Sequence, residues 1–263
     1  MRILVAEDTE LNRDLLVQLL ENRGHAVVCV GDGVEALTML ARQTFDIVLM
    51  DEVMPRMNGL DTIAAIRRAE SKSGKRHLII SMSGNTTQQD EKRHLDAGAD
   101  VFLEKPLKVD KLYKAIESAC ATETQAAQEK DYWAPRTMGA QDLAAHLRRT
   151  TRGNEKLVRS LVKTFLSDAP KKLSAIRRAI AKKDMEQLTS IAHSLKGSLG
   201  IFDAQEAVDA ARRLETMGRS HDLQDAEAEF RALEKEFAQL RHELLSLPRK
   251  AKSPAHQRTF RKH

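Results

Sequence analysis

Through the first 120 residues, short apolar runs rich in β-branched residues alternate with longer amphipathic stretches. The runs at 3–6, 26–30, 47–50, 78–82 and 101–103 predict strands. Between them the spacing predicts helices. The first carries Leu11, Leu15, Leu16, Leu19 and Leu20 and stops at Gly24, and others lie near 34–42, 60–68, 88–97 and 109–119. Strand–helix alternation of this kind predicts an α/β, doubly wound, five-stranded parallel sheet with helices on both faces. Ligands of such sheets sit outside the carboxyl ends of the strands.

The pattern lapses over residues 121–140, which are read as a linker; its Tyr132-Trp133 pair is a means of docking it on a domain. Residues 141–247 return to helical periodicity with little β-branched clustering. Helices are expected over 142–148, 155–181, 184–199, 204–217 and 223–245, with Pro170 breaking or kinking the second and with Asp184 and Asp203 as N-caps. Short loops between them predict an all-α four-helix bundle. Residues 248–263 hold two prolines, no acid and six Lys or Arg, and are read as a basic disordered tail.

The chain has 263 residues and a formal charge of +5. By region the charge is −3 over 1–120, −1 over 121–140, +3 over 141–247 and +6 over 248–263. The excess therefore belongs to the tail, and the absence of a helix-turn-helix or winged-helix pattern argues against sequence-specific nucleic-acid binding. An acidic first domain beside a mildly basic second one favours their docking, with salt weakening it. No apolar run approaches the ~18 residues of a membrane span, and the start resembles no export signal, so no membrane insertion and a cytoplasmic location are expected. The two cysteines, Cys29 and Cys120, are read as buried free thiols.

Candidate chemistry gathers at the strand ends. Glu7 and Asp8 follow the first strand and Asp51 follows the third, so neighbouring first and third strands bring three carboxylates to one crevice. Clustered acids call for a hard cation, best Mg²⁺. Ser83 follows the fourth strand and Lys105 the fifth. Acids, a hydroxyl and an ammonium at one sheet edge form the logic of phosphoryl binding, with a carboxylate as nucleophile.

The segments ILVAEDTELNRDLL, DIVLMDEVMPRMNGLD, LIISMSGN and AGADVFLEKPL resemble the response-regulator receiver domain, with its CheY-like, flavodoxin-type fold, across residues 1–120. The resemblance implies that Asp51 is the phosphoacceptor and that Glu7, Asp8, Asp51 and the Val53 carbonyl hold Mg²⁺. It implies that Lys105 pairs with the phosphoryl group, that Ser83 moves to hydrogen-bond it, and that Phe102 is the aromatic that turns inward in response. It also implies a cis Lys105–Pro106 peptide.

In the second domain Leu188, Ile191, Leu195 and Leu199 mark a core stripe, and His193 falls about 200° away from it, facing solvent. Lys196 and Gly197, three and four residues on, share its face. Glycine costs about 1 kcal/mol inside a helix. At position 197 it removes bulk beside the imidazole, while Lys196 attracts a phosphoryl group. Phe165, Phe202 and Phe230 are read as core. The stretch from LVRSLVKTFLSDAP to IAHSLKGSLGIFDA resembles a histidine phosphotransfer (HPt) domain, which implies phosphorylation of His193 on a ring nitrogen with Lys196 and Gly197 in support. Asp203 stands where that family usually has glycine, a position that Asp fills at a small cost.

The reading is a two-component phosphorelay protein. It accepts a phosphoryl group on Asp51 from a sensor histidine kinase or a phosphohistidine donor, and carries or passes one on His193, with another receiver or HPt domain as further partner. It is expected to be a phosphotransfer protein without an ATP-binding kinase domain. The alternative is a phosphorylation-switched adaptor whose helical domain only binds a partner.

Overall fold

The computed structural model describes residues 1–74, 76–84, 87–120 and 140–247. The 121–140 linker, up to its last residue, the basic tail and the Cys120 thiol lie outside the described residues.

Five strands, β1 (Arg2–Ala6), β2 (Ala26–Val30), β3 (Ile47–Asp51), β4 (Leu78–Ser83) and β5 (Val101–Glu104), form one parallel sheet in the order β2-β1-β3-β4-β5. The helices α1 (Glu10–Glu21), α2 (Gly33–Arg42), α3 (Gly59–Ser73), α4 (Gln88–Asp96) and α5 (Val109–Cys120) connect and follow them. Successive strand residues point to opposite faces. Ile3, Val5, Ile47, Leu49, Ile80 and Met82 accordingly pack with Leu16 and Leu20 of α1 and Leu112 and Ile116 of α5. Leu4, Ala6, Val48, Met50 and Ile79 pack on the other face with Ala36 of α2 and Ile63 and Ile66 of α3.

The second part contains α6 (Ala140–Thr150), α7 (Glu155–Lys182), α8 (Met185–Gly200), α9 (Gln205–Ser220) and α10 (Ala226–Ser246). Helices α7 to α10 close a four-membered ring, α7 on α8, α8 on α9, α9 on α10 and α10 on α7, and the shorter α6 lies against α7 and α10. Phe165, Phe202 and Phe230 are buried at the centre, and the first two stack with centroids 4.5 Å apart.

Two local expectations are corrected. Helix α7 continues through Pro170, which does not break it. Proline forfeits one backbone hydrogen bond, but Phe165, Ala169, Leu173 and Ile176 anchor both flanks in the core and Pro170 itself faces out. Asp203 is not an N-cap; Ala204 holds that place without a side-chain bond, and Asp203 takes φ +54°, the left-handed turn that precedes it. Asp184 does cap α8, accepting from the Gln187 amide at 3.0 Å. Cys29 is a free thiol only partly buried, because β2 is an edge strand.

The apolar residues of α1 divide between two cores. Leu16 and Leu20 face the sheet, whereas Leu11, Leu15 and Leu19 join the helical bundle's own cluster together with Tyr113 of α5. At ~100° per residue these five leucines span an arc of about 180°, nearly twice an ordinary amphipathic stripe. The first module thus seats α1 directly on the bundle, against α7 and α8. At the edge of this seam Arg152 stacks on Tyr113 at 4.5 Å and pairs with Asp110 at 3.1 Å. No helix among the described residues is long and apolar enough to cross a membrane.

Candidate functional site

Because β1 and β3 are neighbours, the residues leaving their carboxyl ends meet. Ligand oxygens of Glu7, Asp8 and Asp51 all lie within 4.8 Å of one another. Lys105, delivered by the end of β5, places Nζ 2.6 Å from Glu7 Oε2 and 2.8 Å from Asp51 Oδ1. The Lys105–Pro106 peptide is cis, and the Lys105 amide donates to the Ser83 carbonyl at 2.7 Å. Gly59 sits against the Asp51 carbonyl: a Cβ there would come within 2.0 Å of that oxygen, so no side chain fits without moving the strand end.

The charges are unbalanced. Burial and the neighbouring Glu7 raise the Asp51 carboxyl to about 7, although Lys105 and His193 oppose them. Burial and Glu7 also raise Asp8. For Glu7 burial is outweighed by Lys105, Asn12 and the Thr9 amide, and the net direction is down. Lys105 is raised, its burial overcome by Asp51 and Glu7. Both Asp51 oxygens are buried with no hydrogen bond of good geometry. Three acids against one ammonium, with Asp51 Oδ2 buried and without a partner, fit a hard divalent cation. Val53, two residues beyond Asp51, is half-buried.

Ser83 is buried and its hydroxyl donates to Glu52 Oε2. Phe102 is half-buried on the neighbouring strand, its ring 4.9 Å from His94. Sequence reading passed over Glu52, which is masked by its adjacency to Asp51.

His193 departs from its expected exposure: it is only 5% exposed. Helical spacing turns it away from the leucine stripe of α8, and the first module covers that face. Thr9 Oγ1 and Ser194 Oγ lie 2.8 Å apart, and a Cβ on Gly197 would meet Asn12 Nδ2 at 3.1 Å. Gly197 therefore does permit close approach, and what approaches is α1 of the same chain. Gly200, one turn on, lies likewise against Pro106, 3.1 Å from a built Cβ. Hydrogen bonds run across the seam from Lys172 to Ser194 (2.8 Å), Ser194 to Thr9 (2.8 Å) and Thr9 to Asp8 (3.0 Å).

The sequence reading also missed Glu215 on α9. It is buried, its Oε1 lies 2.9 Å from His193 Nδ1, and its Oε2 accepts from Lys196 Nζ at 2.6 Å. His193 and Lys196 overcome its burial and lower its carboxyl to about 2. An ionised carboxylate only accepts, so His193 Nδ1 is the donor in this pair.

Comparison with known proteins agrees with this division. Residues 3–117 match the family model "Response regulator receiver domain" and residues 160–243 match "Hpt domain". The sensory/regulatory protein RpfC of Xanthomonas campestris pv. campestris is 32% identical over 200 residues, which is 75% of this chain and 28% of RpfC. The sensor histidine kinase AruS of Pseudomonas aeruginosa is 29% identical over 198 residues, 75% of this chain and 19% of AruS. The chain thus spans less than a third of the length of these relatives. The receiver domain of sensor histidine kinase PA1611 from Pseudomonas aeruginosa, solved with a magnesium ion in its active site cleft, is 32% identical, with 44% of this chain and 94% of that one covered and a TM-score of 0.41.

Proposed function

As the chain belongs to the receiver and Hpt families of two-component phosphorelays, we propose that it accepts a phosphoryl group on Asp51 and passes it to His193 within the same chain. The observation that carries this is the seam: the sheet edge bearing Asp51 and the α8 face bearing His193 are pressed together, with Thr9 Oγ1 2.8 Å from Ser194 Oγ and Gly197 against Asn12.

In this reading an Asp51 oxygen attacks the phosphorus of a donor, forming an acyl phosphate as the donor's bond to phosphorus breaks. Lys105 Nζ offsets charge on the transferring group. Glu7, Asp8, Asp51 and the Val53 carbonyl would hold Mg²⁺, which when bound neutralises phosphoryl oxygens. His193 Nε2 then attacks the same phosphorus, the acyl oxygen–phosphorus bond breaks, and its electron pair returns to the Asp51 carboxylate. Glu215 holds the imidazole in the tautomer that frees Nε2 and steadies the positive charge that develops on the ring. Neither matched module is a kinase. The phosphoryl donor is therefore a sensor histidine kinase acting from outside these modules, in the cytoplasm, and a further receiver or HPt domain takes the group onward. A membrane or a specific nucleic-acid sequence has no part in this scheme. Residues 1–120 and 141–247 are its two working units.

The adaptor alternative leaves the Glu215–His193–Lys196 constellation without a purpose. The test uses labelled acetyl phosphate and Mg²⁺. Wild type should acquire acid-labile, base-stable label on His193, His193→Gln should hold base-labile label on Asp51, and Asp51→Asn should acquire neither. Acid-labile, base-stable label that persists in His193→Gln, or is absent from wild type, contradicts the relay.

A further inference from the structure

In the unphosphorylated chain the Ser83 hydroxyl is already engaged. It donates to Glu52 Oε2, a buried carboxylate oxygen in the residue directly after Asp51. On the α4 side Glu52 faces two basic side chains beyond hydrogen-bond reach. Arg93 lies 3.9 Å from Oε1, and His94 Nε2 lies 3.6 Å from Oε2. His94 is fully buried and is held in turn by Ser81 Oγ at 2.6 Å from Nδ1 and by the Phe102 ring at 4.9 Å. The Glu52 backbone is pinned as well, its amide donating to the Met82 carbonyl at 3.0 Å and its carbonyl accepting from Gly59 at 2.8 Å. The backbone that carries the acceptor therefore has little freedom to follow the hydroxyl.

We propose that Glu52 is a positioning residue that holds Ser83 in the unphosphorylated arrangement and competes with the phosphoryl group for its hydroxyl. The inference rests on Asp51 being the phosphoacceptor. A hydroxyl turned toward a phosphoryl oxygen must first leave Glu52. Hydrogen bonds to a carboxylate are about twice as strong as neutral ones, so leaving is costly and lowers the occupancy of phospho-Asp51. Removing the acceptor removes that cost. Through His94 the same carboxylate touches the surroundings of Phe102, so the ring and the hydroxyl share one fixed neighbour.

The experiment is a double-mutant cycle between Glu52→Ala and Ser83→Ala in the full-length His193→Gln chain, where label stays on Asp51. The readout is the steady-state labelled fraction with limiting acetyl phosphate and Mg²⁺. Glu52→Ala should raise it by about fivefold or more, and in the Ser83→Ala background the same change should shift it by less than about 1.5-fold. Glu52→Gln, which keeps size and an acceptor oxygen, should give a smaller increase in the same direction and serves if the alanine variant does not fold. An equal rise in both backgrounds would mean that Glu52 acts only through its charge, and no rise would mean that it does not restrain Ser83; either overturns the proposal. Absence of all Asp51 labelling would instead contradict the relay itself.

Discussion

Leu15→Asp is expected to uncouple the two modules while leaving each folded. Leu15 is buried in the bundle's cluster beside Leu11 and Leu19, whereas the sheet is served by Leu16 and Leu20. Aspartate forfeits the roughly 1.5–3 kcal/mol of a buried leucine and places a carboxylate in an apolar seam. The cheaper outcome is for the seam to part. Transfer from Asp51 to His193 should then fall by about 100-fold or more, matching a loss of roughly 3 kcal/mol in the docking equilibrium. Labelling of Asp51 by acetyl phosphate should rise, since the docked bundle helps cover it. Leu16→Ala offers the contrast: it should cost the receiver about 2–5 kcal/mol of stability and show as a lowered melting temperature. Transfer that survives Leu15→Asp unchanged would mean that the seam is not the route.

Lys105→Ala is expected to be the most damaging change to the first chemical step. Its ammonium lies within 2.8 Å of both Glu7 and Asp51. Without it, formation of phospho-Asp51 should drop by about 10²–10³-fold, the range for losing one donor to a developing charge. The pH sign also follows. Burial and Glu7 already raise Asp51 to about 7, above its ordinary value, so its contribution to stability is present at low pH and is lost as pH rises through about 7. Removing Lys105 raises Asp51 further and undoes the lowering of Glu7. The variant should therefore lose more stability, relative to wild type, at pH 8 than at pH 5, in melting curves recorded with EDTA. An equal loss at both would show that the ammonium does not offset the buried acids.

Much of this was legible in the sequence because sheet topology turns strand ends into one place. Knowing that Glu7, Asp8, Asp51, Ser83 and Lys105 end successive strands was nearly enough to assemble the crevice. What stayed hidden depended on contacts between elements distant along the chain. Glu215 stands on a different helix from His193, 22 residues away, and neighbours at three and four residues do not reveal it. The burial of His193 depends on the other module. Its one sequence signal was the width of the leucine arc on α1, too broad for a helix with a single partner. That arc also revises the expected salt dependence. The seam is held by apolar side chains, and its edge pair Arg152–Asp110 is exposed, so salt should matter little.

A phosphoryl group that passes within one chain does so at a rate set by the seam and not by concentration. The most direct test mixes full-length Asp51→Asn with His193→Gln pre-labelled on Asp51, and compares transfer between them with transfer in labelled wild type over a hundredfold dilution. Transfer within one chain gives a wild-type rate independent of dilution and a mixture that is far slower and falls in proportion to concentration. A mixture as fast as wild type, or a wild-type rate that falls on dilution, would contradict it.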